Sequence, residues 1–177
     1  MKFTKTKING CFIIKNNPKN DKRGSFTRNF CQNLYLKKNI NFSVKQSNIF
    51  ENIKKGTFRG FHYQKKPFTE NKIINCVSGA IFNVVIDLRK NSKSFKKMLV
   101  QKISSKNKLS IYIPAGCANG FLTLENNTYI QYLMSDFFEK NKNSYSGIRF
   151  DDKIFRKIRW PIKPKIISKK DLSYSNF

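Results

Sequence analysis

The 177-residue chain is long enough to bury a core without metal or disulfide staples. Its 36 Lys and Arg outnumber 10 Asp and Glu for a formal charge of +26, but the Lys are spread among abundant Asn, Ile and Phe as a coding bias would leave them, so the charge is not read as nucleic-acid binding. A hydrophobic content of 39% with 17 Phe excludes a disordered polybasic tail, and the apolar runs are too short for a signal-peptide core or a bilayer span.

In chain order, residues 28–37 read as one short helix. Short segments rich in Ile, Val, Phe and Tyr follow, separated by Lys, Asn, Ser and Gly, and predict strands at 42–46, 57–64, 73–77, 80–88, 98–103, 109–113 and 129–135. Residues 77–80 (Val-Ser-Gly-Ala) read as a tight hairpin turn, and Ile113-Pro114-Ala115-Gly116 as a strand end before a restart near Gly120-Phe121. Ser168 opens a Ser-x-x-Asp capping pattern for a second helix near the C-terminus. Many short strands with little helix predict an antiparallel sandwich or barrel, expected as a single domain over 1–177. Cys11, Cys31, Cys76 and Cys117 contain no CxxC pair for a zinc site, so reduced, buried thiols in a cytoplasmic protein are expected.

The lone histidine, His62, lies in Arg59-Gly60-Phe61-His62-Tyr63-Gln64. A single imidazole argues against a catalytic metal, since β-barrel metal sites need two or three with a carboxylate. Strand alternation places Gly60, His62 and Gln64 on one face and Arg59, Phe61 and Tyr63 on the other. On its own the residue reads as a hydrogen-bonded core histidine, because a single imidazole has no sequence signature of catalysis. Arg23-Gly24 and Arg59-Gly60 are Arg-Gly pairs in a chain that otherwise prefers Lys, and a guanidinium fork beside a glycine suits phosphate oxygens, or merely a turn. Tyr132 also fits a core aromatic, and Asp171 a helix cap.

Taken in order, these segments resemble the dTDP-4-dehydrorhamnose 3,5-epimerase family of cupin-like jelly rolls. The resemblance is carried by 21–26 (Asp-Lys-Arg-Gly-Ser-Phe), 46–48 (Gln-Ser-Asn), 55–64 (Lys-Gly-Thr-Phe-Arg-Gly-Phe-His-Tyr-Gln) and 76–89. In the C-terminal half it continues through 113–121, 147–152, Trp160-Pro161 and 168–171 (Ser-Lys-Lys-Asp).

The resemblance implies an all-β, cupin-like jelly-roll barrel with a few short helices and a cofactor-independent isomerase acting on a nucleotide-linked 4-keto-6-deoxyhexose. The ketone acidifies the protons on C3 and C5, so a base can remove one to leave an enolate that is reprotonated from the opposite face. By the same resemblance His62 is the base, Asp171 orients it, Lys72 stands near the C4 oxygen and Tyr132 donates the proton. Arg23 and Arg59 bind the diphosphate, Gln46 and Asn48 line the nucleotide site, and Asn119 belongs to substrate binding. A homodimer with N-terminal strand exchange is also implied. Neither metal, cofactor, membrane nor specific nucleic acid is expected. Asn119 and Asn83 stand where the family commonly has His and Asp, Arg28 where an acid is usual, and Phe137-Phe138 where tyrosines are common. A neutral amide pair hydrogen-bonds but does not shuttle a proton, which keeps open a single-centre epimerase or ketoisomerase on another nucleotide sugar. A non-enzymatic binding barrel is the remaining reading.

Overall fold

The computed structural model describes residues 1–138 and 144–177. In chain order the elements are β1 (Lys2–Lys5), β2 (Phe12–Lys15), β3 (Lys19–Asp21), β4 (Gly24–Phe26), α1 (Gln32–Leu36), β5 (Gln46–Asn52), β6 (Phe58–Gln64) and β7 (Lys72–Ser78). They continue with β8 (Ala80–Asp87), β9 (Met98–Ser104), β10 (Leu109–Ile113), β11 (Cys117–Thr123), β12 (Thr128–Met134), β13 (Tyr145–Gly147) and α2 (Lys169–Leu172). Two antiparallel sheets are ordered β1-β2-β10-β7-β12-β5 and β13-β6-β11-β8-β9, and β3 and β4 form a separate hairpin. The runs β10-β7-β12-β5 and β6-β11-β8-β9 are the two interleaved Greek keys of a jelly roll, the expected fold.

The central strands of both sheets are buried on both faces, which explains why they read as nearly continuous apolar runs. Between the sheets lie Ile74, Cys76, Ile81, Val85, Ile103, Ile111, Phe121 and Ile130. The outer face of the β6-containing sheet, bearing Phe58, Phe61, Val84 and Ile86, is covered by the C-terminal segment through Ile148, Phe155 and Trp160. On the other sheet Ile73, Tyr112 and Leu133 are capped by Tyr35 of α1 with Ile40 and Phe42.

The predicted strand at 42–46 is displaced. Strand β5 starts at Gln46, where pairing with Met134 of β12 begins, and Phe42 instead buries its ring against Tyr35 and Tyr112. The helix expected over 28–37 shrinks to Gln32–Leu36. Strand β11 spans the expected restart, entered through a turn where Gly116 has φ +80. The C-terminal helix begins as its pattern predicts, with Ser168 Oγ accepting from the Asp171 amide at 3.0 Å. Among the four thiols Cys11, Cys76 and Cys117 are buried as expected, whereas Cys31, ahead of the short α1, is only half-buried. No helix among the described residues is long and apolar enough to cross a membrane.

Candidate active site

Toward one end the space between the sheets changes from apolar to polar and opens into a cavity of about 640 Å³. Lys72 and Tyr132 share inward-facing alternation with Ile74 and Ile130, so they continue the core's face as its polar end. His62, Arg59, Asn119 and Tyr145 line the cavity from the opposite sheet, and Gln46 and Asn48 from β5.

Arg59 and His62 line the same cavity, contrary to simple alternation, because β6 carries a bulge. Asn119 opposes His62 and Phe121 opposes Arg59, so Gly60 and Phe61 together face Gly120 alone. The extra residue turns Phe61 outward to stack on Phe155, with centroids 3.9 Å apart. Glycine is required at 60: φ is +131, and a Cβ would lie 2.5 Å from Gly120 Cα. The Gly60–Phe61 peptide is cis. Gln64, expected beside His62, does not line the cavity, and its amide donates to Phe137 O at 2.9 Å.

The C-terminal segment delivers Asp171 to His62. Ile166 O accepts from the Phe58 amide at 2.8 Å, and Lys165 and Ile166 donate to Gly56 O, which ties this segment to the start of β6 and sets α2 above the bulge. Asp171 Oδ1 then lies 2.7 Å from His62 Nε2, while Oδ2 accepts from the Gly60 amide at 3.3 Å. A proton shared from Nε2 to the carboxylate leaves the Nδ1 lone pair as the basic position of the ring. Tyr174 packs edge-on to the imidazole at 5.8 Å and lies over Gly147, where a Cβ would run into its ring.

Across the cavity Tyr132 is half-buried, packs against the core and meets Phe50 edge to face at 5.2 Å. Burial raises its pKa well above the ordinary tyrosine value, reinforced by Tyr145 and opposed by Arg59, so the phenol keeps its proton. The Lys72 ammonium is buried, 2.5 Å from Glu70 Oε1 and 3.5 Å from the Tyr145 hydroxyl. Burial acts against its charge, but Tyr145 and Glu70 more than reverse that and hold its pKa up. Glu70 itself is raised by burial, which Lys72 only partly offsets.

At the mouth, Arg59 Nε donates to Asn52 Oδ1 at 2.8 Å and its guanidinium lies over the Phe50 ring at 4.7 Å. Gln46 donates to Asn48 at 3.0 Å and accepts from the Phe138 amide at 2.9 Å. Asn119 gives both amide hydrogens away from the cavity, to Asn83 Oδ1 and Val84 O, each at 2.9 Å, so it offers the cavity only a carbonyl oxygen. Eight of the nine residues expected at the site therefore line one cavity. The exception is Arg23, which stands on the β3–β4 hairpin with its side chain 89% exposed and paired with Asp21.

Of the other residues in or beside the cavity, sequence reasoning noted Phe138 only as a departure from the family and did not single out Glu70, Tyr145, Lys170 or Tyr174. Glu70, two residues before Lys72 in a chain with few acids, was the one with a readable signal. Among the described residues no three or more His, Cys, Asp or Glu side chains converge as a metal site requires.

Residues 5–177 match the sequence profile of the dTDP-4-dehydrorhamnose 3,5-epimerase family. A dTDP-4-dehydrorhamnose 3,5-epimerase from Shigella flexneri is 32% identical over all of this chain and 96% of its own. The crystal structure of such an epimerase from Bacillus anthracis, with TDP and PPi bound, superposes with a TM-score of 0.94 at 30% identity, covering 99% of both chains. That of the Legionella pneumophila epimerase in complex with dTDP-4-keto-L-rhamnose gives 0.90 at 28% identity, over 99% of this chain and 92% of that one.

Proposed function

Since this chain belongs to the dTDP-4-dehydrorhamnose 3,5-epimerase family, an isomerase class, we propose that it converts dTDP-4-dehydro-6-deoxy-D-glucose to dTDP-4-dehydro-L-rhamnose. The observation that carries this reading is the His62–Asp171 pair at 2.7 Å on one wall of a cavity whose other wall bears Tyr132 and Lys72.

His62 takes a proton from the carbon next to the ketone, and Asp171 fixes the ring and stabilises the imidazolium that forms. Lys72 stabilises the negative oxygen. Tyr132 belongs to the opposite sheet, so the proton it returns arrives on the other face of the sugar and inverts the centre. Arg59, with Gln46 and Asn48 near the mouth, serves the nucleotide diphosphate. All of this takes place in a single domain spanning 1–177, in the cytoplasm.

The test is incubation with dTDP-4-dehydro-6-deoxy-D-glucose in heavy water, following deuterium at C3 and C5. Label at both carbons with inversion is expected, and His62→Ala should abolish it while leaving the fold intact. A folded His62→Ala protein of near parental rate would remove this mechanism. Label at one carbon alone would favour a single-centre epimerase. Asn119 supports that second reading, because it presents an acceptor and no mobile proton.

The enzyme is further proposed to act as a homodimer exchanging N-terminal strands. In support, β5 is a sheet edge whose Ile49 is 66% exposed, and Phe26 of the hairpin is 65% exposed. Such an exchange gives Arg23 a route to the partner's diphosphate. Light scattering showing a stable monomer would overturn it.

A further inference from the structure

We propose that Tyr145 is a second catalytic hydrogen-bond donor to the C4 oxygen, beside Lys72, and that Glu70 is the positioning residue that holds the Lys72 ammonium there. The inference rests on the substrate reading above and adds two residues to it.

Lys72 and Tyr145 come from different sheets and meet in the cavity, with Nζ 3.5 Å from the phenol oxygen. An ammonium only donates, so the Tyr145 oxygen is the acceptor and its own hydrogen is left for another group. Among the described residues nothing accepts that hydrogen. The Tyr145 ring lies 5.5 Å from the His62 ring, so an oxygen held by Nζ and the phenol sits on the wall next to the base. Phe138, edge-on to Tyr145 at 4.6 Å, fixes the ring from its other side.

When His62 takes the proton, the C–H electron pair becomes the new C=C bond and the carbonyl π pair moves to oxygen. Lys72 and Tyr145 then both donate to that oxyanion. The oxygen pair returns as the carbon takes a proton from Tyr132, giving inverted ketone, imidazolium and phenolate, which exchange with solvent to restore the starting protonation.

Glu70 serves the step from outside it. A buried ammonium sheds its proton unless a counter-charge faces it, and the Glu70 carboxylate supplies that charge at 2.5 Å. The other titratable groups around the pair are Tyr145 from β13, His62 from β6, Tyr132 on β12 and Asp136 just after it, with Lys170 Nζ 5.8 Å from the Tyr145 ring. Of these, Tyr145 lies 3.5 Å from the Lys72 ammonium, and a phenol that keeps its proton brings no full counter-charge, which leaves that part to Glu70.

The experiment measures deuterium exchange and net inversion separately in Tyr145→Phe. Both should fall by the same factor, on the order of 10²-fold, with KM within about 2-fold, because both pass through the enolate. Parental rates in a folded Tyr145→Phe protein, or exchange retained while inversion is lost, would overturn the role. Glu70→Gln should move the alkaline limb of the exchange rate to lower pH, and an unmoved limb would remove Glu70 from the proposal. If either variant fails to fold, a 13C-lysine NMR titration of the parent decides. Lys72 titrating below the ordinary lysine value of about 10.4 would refute the arrangement. A parent that exchanges no deuterium at all is a different failure, that of the substrate reading, and the inference falls with it.

Discussion

Asp171→Asn tests the dyad with one atom exchanged. The 2.7 Å contact to His62 Nε2 has the length of a charge-assisted hydrogen bond. Such bonds contribute about 1.5–3 kcal/mol and neutral ones about 1, so losing the charge alone removes roughly 0.5–2 kcal/mol of imidazolium stabilisation, about 2- to 30-fold in rate. The Gly60 amide makes the loss larger. It donates to the second carboxylate oxygen at 3.3 Å, so an amide that keeps its oxygen there turns its NH2 toward Nε2. That donor forces the ring proton onto Nδ1, the position proposed to act as base. The alternative orientation sets the NH2 against the Gly60 N–H, donor against donor. The expected fall in kcat is therefore on the order of 10²- to 10⁴-fold, the wrong-tautomer range. Initial rates of deuterium entry across substrate concentrations, with melting temperature as the fold control, measure it. A folded Asp171→Asn protein within about 3-fold of parental kcat would refute the orienting role and the tautomer argument with it.

Gly60→Ala forces a Cβ to 2.5 Å from Gly120 Cα and 2.9 Å from Asn119 O, both backbone atoms that cannot swing aside, and should cost about 2–4 kcal/mol by denaturant titration. A cost below about 1 kcal/mol would mean that the bulge can relax. Burial pushes the Cys11 and Cys76 thiols up to about 12 and raises Cys117 further, so a thiol reagent at pH 8 should label only half-buried Cys31 in the native protein. More than one native label counted by mass spectrometry would contradict that. Burial works against the Asp87 carboxylate, but hydrogen bonds from Arg89, Ser94 and Ser92 outweigh it and depress its pKa. Its stabilisation is fully present above the unfolded value of about 3.9 and disappears as pH falls through the depressed native value. The stability gap between parent and Asp87→Asn should thus hold from pH 7 to about 5 and narrow below about 4, and a gap widening toward low pH would reverse the sign.

What the sequence made legible follows from how each position is constrained. Strands buried on both faces announce themselves as apolar runs, and the pairing partners of β7, β8, β9, β10 and β12 hold them where those runs lie. Strand β5 was misplaced because its residues are mostly exposed at a sheet edge, while apolar Phe42 just before it belongs to a different contact. The bulge in β6 was invisible to a period-two reading. Gly60 marked the spot, but the inserted residue is defined only by what it faces on β11. Asp171 was readable as a cap, yet its distance from His62 depends on Gly56 and Ile166 tying the two segments together. Tyr145 lies in a three-residue strand with no periodicity to betray it.

Inversion requires a base and an acid on opposite faces of one carbon, and a sandwich of two sheets supplies opposite walls from its architecture. On the proposed assignment the base, His62, belongs to one sheet and the acid, Tyr132, to the other, so neither needs a mobile element to bring it to the cavity. The same layout explains why the polar groups interrupt otherwise apolar strands: Lys72 and Tyr132 occupy inward positions of the core's own alternation, at its open end. Charge buried there needs compensation, and Glu70 provides it for Lys72. His62 and Arg59 share the cavity through a departure from regular strand geometry. The bulge that brings Arg59 to the cavity with His62 also aims the Gly60 amide at Asp171, so one inserted residue sets the arginine proposed for the diphosphate, the imidazole proposed as base and the carboxylate paired with it.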